Sequence, residues 1–188
     1  KIFSLFSVVR GYNIFVIILA QYLASIFIFA PEKRALDVIL DWQLFLIILA
    51  SALAIASGYI INNFYDAEKD LINRPTKSML DRLVSQTTKL RVYFFLNFLS
   101  VCIVLPVSIH GAIFFAIYIF LLWFYSHKLK KYPIIGNLLA SLLAMLPFFA
   151  ILMYFRSFHI SIFVHAFFLY LIILIREIMK DLENIRGD

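Results

Sequence analysis

The sequence predicts an all-α fold, a bundle of helices that crosses a membrane six times. Composition, the spacing of the charges and the lack of period-two alternation carry that prediction. Of 188 residues, 64% are apolar and 18% aromatic, against roughly 45–50% apolar in soluble domains. One soluble core could not hide that much apolar surface. Residues 11–30, 42–61, 92–126, 132–155 and 157–175 contain no Lys, Arg, Asp or Glu. The apolar positions do not alternate as the strands of a membrane barrel must.

A helical span takes about 20 mostly apolar residues, so four of the five runs each fit one helix. The first, 11–30, lacks a small-residue cleavage pattern and reads as a span rather than a removable signal. The run 92–126 is long enough for two shortened spans, with Pro106 and the pair His110-Gly111 placed to turn a hairpin between them. That makes six. The lone Cys102 falls inside a predicted span and excludes an intrachain disulfide. The chain opens at Lys1 and stops at Asp188 inside a polar stretch, so the expectation is one membrane-embedded domain, residues 1–188, truncated at its C-terminus.

Six spans place fourteen of the seventeen Lys and Arg on one membrane side, leaving Lys33, Arg34 and Arg156 on the other. By the positive-inside rule the richer side, with the N-terminus, is cytoplasmic, and the cell membrane is the expected location. The net charge of +6 therefore reports topology and calls for no nucleic-acid partner. No protein partner is indicated.

The polar clusters share that basic side. Asn62, Asp66 and Asp70 follow the second span at i, i+4, i+8, which in a helix is one face. Asp181 and Asp188 follow the sixth span at i, i+7 with Asn184 between them, and Glu177 stands one turn before Asp181. Charges after a span are ordinarily a solvated helix end. Two acidic faces at corresponding depths, each with an Asn near an Asp, ask for more. Crowded carboxylates at a membrane boundary repel one another and resist low dielectric. Mg²⁺ relieves both, since it takes one or two carboxylates plus phosphate oxygens. Arg74, Lys77, Lys128 and Lys130 in the intervening loops can complete the neutralisation of a diphosphate. Arg10 and Asn13 share a face at the mouth of the first span, where snorkelling and a site role stand level. His110, His159 and His165 have no ligand spacing and read as interfacial or packing residues.

These residues resemble a family. Asn62-Asn63-Phe64-Tyr65-Asp66-Ala67-Glu68-Lys69-Asp70 looks like the first Asn-xxx-Asp-xxx-Asp motif of UbiA-type intramembrane prenyltransferases, and Asn73-Arg74-Pro75 resembles the segment after it. Tyr125-Ser126, Leu129-Lys130, Pro133 and Gly136-Asn137 are similar to the family's connection between fourth and fifth helices. Arg176-Glu177, Lys180-Asp181, Glu183 and Gly187-Asp188 resemble the second acidic motif in the form seen in geranylgeranylglyceryl phosphate geranylgeranyltransferases. Arg10 and Asn13 match an Arg-xx-Asn at the start of the first helix. Three motifs appear in the right order along the whole chain. Departures are Asn63, where many members have Asp; Asn184, where Asp is frequent; and Thr76 to Arg82, which replaces a Pro-rich run.

The resemblance implies nine spans in the complete protein, of which six are present, and Mg²⁺ on Asp66, Asp70, Asp181 and Asp188. It implies a prenyl diphosphate near Asn62, Arg74, Lys77, Lys128, Arg10, Asn13 and Asn184. Lys130 would stabilise the leaving diphosphate, and Tyr125 would shield an allylic cation. The acceptor is a lipid such as geranylgeranylglyceryl phosphate or, alternatively, an aromatic ring of quinone or pigment biosynthesis. Two rivals lie outside this class. Phosphatidyltransferases need a Gly- and Arg-bearing Asp motif that is absent. A divalent-cation transporter would carry acidic residues deep inside its spans, and these spans have none.

Overall fold

The computed structural model describes residues 2–73 and 75–183, and all regular structure among them is helical. A short α1 (Ile2–Val8) lies before α2 (Gly11–Ala24), which continues through a π turn, Ser25–Phe29. The short α3 (Ala35–Ile39) leads into α4 (Trp42–Tyr65). On the other side of the bundle α5 (Lys69–Asn73) and α6 (Pro75–Arg82) lead into α7 (Gln86–Val104). Then follow α8 (Ile109–His127), a 3₁₀ turn at Leu129–Lys131, α9 (Pro133–Phe155) and α10 (Ile160–Glu183). Six of these segments are long and apolar enough to cross a membrane, as the charge spacing predicts.

The central helix is α4, which packs on α2, α7, α8 and α9. Its sequence explains why. Without water between helices, association relies on close packing and small side chains, and Ala50, Ser51, Ala52, Ala54, Ala56, Ser57 and Gly58 are all buried on it. Ser100 Oγ on α7 donates to the Ala50 carbonyl at 2.9 Å. By contrast α10 packs mainly on α9 and leaves Phe167, Phe168, Ile172 and Ile175 exposed. In a membrane such a face meets lipid at no hydrophobic cost.

Helix ends are fixed by local chemistry. Asp41 caps α4, its Oδ1 accepting from the backbone N–H groups of Gln43 and Leu44 at 3.1 and 3.3 Å. Tyr154 of α9 donates to Asp41 Oδ2 at 2.5 Å. Ser85 accepts from Thr88 N–H to start α7, and Ser108 from Gly111 N–H to start α8.

Two placements differ from the sequence reading. The α7–α8 hairpin turns at residues 105–108, and His110 and Gly111 are already helical. A Cβ at Gly111 would come 2.7 Å from Val104 Cγ1, so glycine serves the close approach of the two helices rather than the turn itself. Second, the charge-free run starts at residue 92, but α7 begins at Gln86, so Lys89 and Arg91 lie within the helix. Lys89 is 2% exposed.

Asp41→Ala removes both the cap, worth about 1 kcal/mol, and the acceptor for Tyr154. Thermal unfolding in detergent is expected to show a lower midpoint for this variant. Asp41→Asn, which keeps a capping oxygen, should lose less.

Candidate active site

The α4 helix ends at Tyr65, and Asp66 is its C-cap with φ −92° and ψ 5°. The backbone link nevertheless runs on. Asp66 N–H donates to the Asn62 carbonyl at 3.0 Å and Asp70 N–H to the Asp66 carbonyl at 2.8 Å. The interruption at 66–68 therefore preserves the i, i+4 relation that puts Asn62, Asp66 and Asp70 on one side.

That side is met by Lys130, presented on the 3₁₀ turn between α8 and α9. Its Nζ donates to Asn62 Oδ1 at 3.0 Å and forms an ion pair with Asp66 Oδ2. Asp66 is 13% exposed and Lys130 31%, so the pair is partly withdrawn from solvent, where an opposite charge matters more than at an open surface.

A second acidic set arrives on α10. Glu177 Oε2 accepts from Lys180 Nζ at 2.7 Å, and Arg176 approaches Glu177 Oε1 at 3.7 Å. Glu177 is 14% exposed. Asp181 follows one turn later on the same face.

Both sets line a single cavity. Its polar end carries Asn62, Asp66, Lys69, Asp70, Lys130, Glu177, Lys180 and Asp181, with Arg10 and Arg176 also on its wall. Its far end is built from Ile17, Ile55, Tyr118, Leu122, Leu143, Ala144 and Pro147. From Asp66 to Ile55 the α4 helix descends ~16 Å at 1.5 Å per residue. Tyr59 and Tyr125 line the stretch between. The cavity thus passes from a charged mouth to an apolar interior along one helix.

Arg10 reaches this mouth through an unusual backbone. It is left-handed, φ 50° and ψ 53°, at the junction of α1 and α2, a conformation uncommon for a residue with a side chain. The next residue is Gly11, where a Cβ would overlap the Phe6 ring. The guanidinium lies over the Tyr59 ring, 5.1 Å from its centroid, within cation–π range. Beside the cavity, a more open recess is lined by Arg10, Asn13 and Arg176 together with Ser7 and Tyr12.

Of the residues singled out in the sequence, Arg10, Asn62, Asp66, Asp70, Tyr125, Lys130 and Asp181 line the main cavity. Asn13 lines the adjoining recess. Lys128 is exposed and lines neither. Arg74, Asn184 and Asp188 lie outside the described residues, as does the side chain of Lys77. Tyr59, Lys69, Arg176 and Lys180 join the lining without having been chosen as site residues. Tyr59 stands at i−3 from Asn62, which is the spacing that could have found it.

Among the described residues no three His, Cys, Asp or Glu side chains converge into a ready-made metal cage. The carboxylates come instead as pairs on separate elements, Asp66 with Asp70 and Glu177 with Asp181. Oxygen donors offered two at a time suit a hard cation that completes its shell with ligand oxygens and water.

Comparison with known proteins agrees with this architecture. Residues 14–188 match the UbiA prenyltransferase family. The digeranylgeranylglyceryl phosphate synthase of Sulfurisphaera tokodaii is 26% identical over 187 residues, 97% of this chain and 64% of that protein. The synthase of the same name from Thermococcus gammatolerans is 32% identical over 147 residues, 77% of this chain and 52% of that protein. That of Methanobrevibacter smithii is 30% identical over 193 residues, 96% of this chain and 63% of that protein. The chain therefore spans between about half and two thirds of these relatives' length. A solved structure concerned with digeranylgeranylglyceryl phosphate synthase in membranes superposes with a TM-score of 0.76 at 22% identity, covering 100% of this chain and 64% of that one. With the family match running over nearly all of the sequence and the fold shared, the chain belongs to the UbiA prenyltransferase family.

Proposed function

We propose that this chain carries the diphosphate site of an enzyme that transfers a geranylgeranyl-type prenyl group from its diphosphate to geranylgeranylglyceryl phosphate, with Mg²⁺. The observation that supports it most is the cavity's polarity gradient. A prenyl diphosphate is a strongly anionic head on an apolar chain, and the cavity offers charged groups at one end and aliphatic and aromatic walls at the other.

Asp66, Asp70 and Asp181, with Asp188 of the same motif, would hold the Mg²⁺. The ion supplies charge neutralisation of the diphosphate as it departs. The remaining work falls to the chain itself. Lys130, now paired with Asp66, is positioned to donate to a phosphate oxygen as negative charge develops there. The carbon–oxygen bond to the diphosphate breaks and its electron pair leaves with the diphosphate. Tyr125, on the wall between mouth and depth, would stabilise the allylic cation through its ring, while the Tyr59 ring already carries the Arg10 guanidinium. The apolar walls exclude the water that would otherwise capture it. An acceptor hydroxyl then forms the new carbon–oxygen bond and passes its proton to the departed diphosphate.

The acceptor assignment leans on two supports. The relatives above are named for digeranylgeranylglyceryl phosphate synthesis. The recess at Arg10 and Arg176 has no carboxylate among its described lining residues and suits the phosphate of a glycerol-phosphate acceptor. The excess of Lys and Arg on the cavity side supports a mouth that faces the cytoplasm, with the cell membrane as the host bilayer.

Supplying the full-length protein with Mg²⁺, geranylgeranyl diphosphate and an equimolar mixture of geranylgeranylglyceryl phosphate and 4-hydroxybenzoate tests the acceptor. Mass spectrometry is expected to find the prenyl group on the lipid; product on the aromatic ring alone would overturn that choice. Asp66→Ala should abolish transfer while leaving the amount of protein in the membrane unchanged. Lys130→Met is expected to lower turnover about 10²-fold, the loss usual for one donor to a developing oxyanion, and chelation of divalent metal should stop transfer in the unmodified protein.

A further inference from the structure

Behind the cavity, on the opposite side of α4, lies a relay of polar groups that the chemistry above does not use. Lys89 of α7 is 2% exposed and Asp81 of α6 is 3% exposed. They are joined through a neutral amide. Lys89 Nζ donates to Asn63 Oδ1 at 2.8 Å, and Asn63 Nδ2 donates to Asp81 Oδ2 at 2.9 Å. Ser7 Oγ of α1 donates to Asp81 Oδ1 at 2.9 Å. Asn63, Asp81 and Lys89 are not part of the cavity lining.

The relay is balanced in charge and in direction. Its one cation and one anion cancel, and the amide turns its oxygen to the ammonium and its nitrogen to the carboxylate. A carboxylate at 63 could still accept from Lys89 but would offer Asp81 no donor. A hydrocarbon there would leave both buried ions without that bridge, which low-dielectric surroundings penalise heavily.

Its location gives it a consequence for the site. Neighbouring residues on a helix point about 100° apart, so Asn62 meets Lys130 while Asn63 meets the relay. The last turn of α4 is therefore held from two directions, and Asp66 caps that same turn. Asp70 sits on α5, a five-residue helix suspended between the end of α4 and α6, and α6 is fastened by Asp81.

We propose that Lys89, Asn63 and Asp81 are positioning residues for the metal–diphosphate site: they fix the rotation of the α4 terminus and anchor α6, and so set where Asp66 and Asp70 stand. The inference rests on the diphosphate reading of the cavity, and its test separates the two.

The test compares full-length wild type with Asn63→Leu, Asn63→Asp and the exchanged pair Asn63→Asp/Asp81→Asn. It reads amide hydrogen exchange over residues 60–82 and affinity for inorganic pyrophosphate with Mg²⁺. Asn63→Leu and Asn63→Asp should speed exchange in that segment without altering α8 and α9. Both should weaken Mg²⁺-dependent pyrophosphate binding about 10- to 100-fold, the range usual when an outer partner of a metal ligand set is lost. The exchanged pair restores a carboxylate for Lys89, an amide donor toward it and an acceptor for Ser7, and should regain most of the affinity. Unaltered amide exchange in α8 and α9 separates this local loss from a general loss of folding. Wild-type affinity in Asn63→Asp, unchanged exchange in Asn63→Leu, or an exchanged pair no better than the single variant would each overturn the positioning role. Absence of Mg²⁺-dependent pyrophosphate binding in wild type would instead sink the diphosphate reading and the positioning role with it, while the exchange pattern would still report whether the relay tethers α6.

Discussion

Polar and charged side chains at the end of α4 enter surroundings that supply little water, and the molecule meets them with side-chain partners. Lys130 answers Asn62 and Asp66; Lys89 answers Asn63, which in turn answers Asp81. Leaving any of these charges alone would be expensive, because low dielectric multiplies the cost of an unmatched ion as much as it strengthens a matched pair. Meeting that demand draws α1, α6, α7 and the α8–α9 connection to one point. The polar mouth of the cavity is thus a product of charge matching, while the apolar depth below it comes from close packing around α4.

The two regimes divide the labour of a transferase. At the mouth, acidic pairs and basic partners coexist within reach of each other, and on the proposed reading an arriving metal-bound diphosphate would substitute for contacts that already exist. Lys130 illustrates this: its present carboxylate partner and an incoming phosphate oxygen are interchangeable acceptors. Deeper in, Ile17, Ile55, Leu122 and Leu143 offer nothing for a charge to bind. On the proposed reading, a cation generated beside Tyr125, between the mouth and this depth, would meet an aromatic ring rather than water. The same gradient disfavours an ion-conducting path, which would need polar groups continuing past Ser126.

Much of this was legible in the sequence because lipid imposes a simple rule on charges. Uninterrupted apolar runs gave all six spans, and the i, i+4 spacing put Asp66 and Asp70 together even though the helix itself stops at Tyr65. The two acidic motifs meet in one cavity, a relation the sequence implied only through their shared membrane side. The rule fails where a charge is buried in protein instead of facing lipid. The charge-free run starts at residue 92, yet α7 starts at Gln86 behind the Ser85 cap, and Lys89 lies inside because Asn63 accepts from it. Asp41 caps α4 through local contacts, but its bond to Tyr154 joins residues 113 apart in sequence, which no local pattern signals. Lys130 was singled out because a basic residue near acidic motifs has an obvious use; Tyr59 was not, because its place on the cavity wall follows from the cavity's shape.

The two acidic walls are not held alike. Asp66 stands on the helix with the most partners in the bundle and is flanked by two polar anchors. Glu177 and Asp181 stand on α10, whose packing within the described residues is mainly on α9. Position is therefore well determined on one wall and weakly determined on the other. A ligand that bridges both walls adds to α10 a link to α4 that packing alone does not supply, and by mass action it stabilises whichever arrangement it binds. On the proposed reading, the free energy of diphosphate binding is partly spent in drawing the α10 carboxylates to the fixed set on α4. Completion of the polar mouth is then coupled to the presence of the substrate whose cation it must protect.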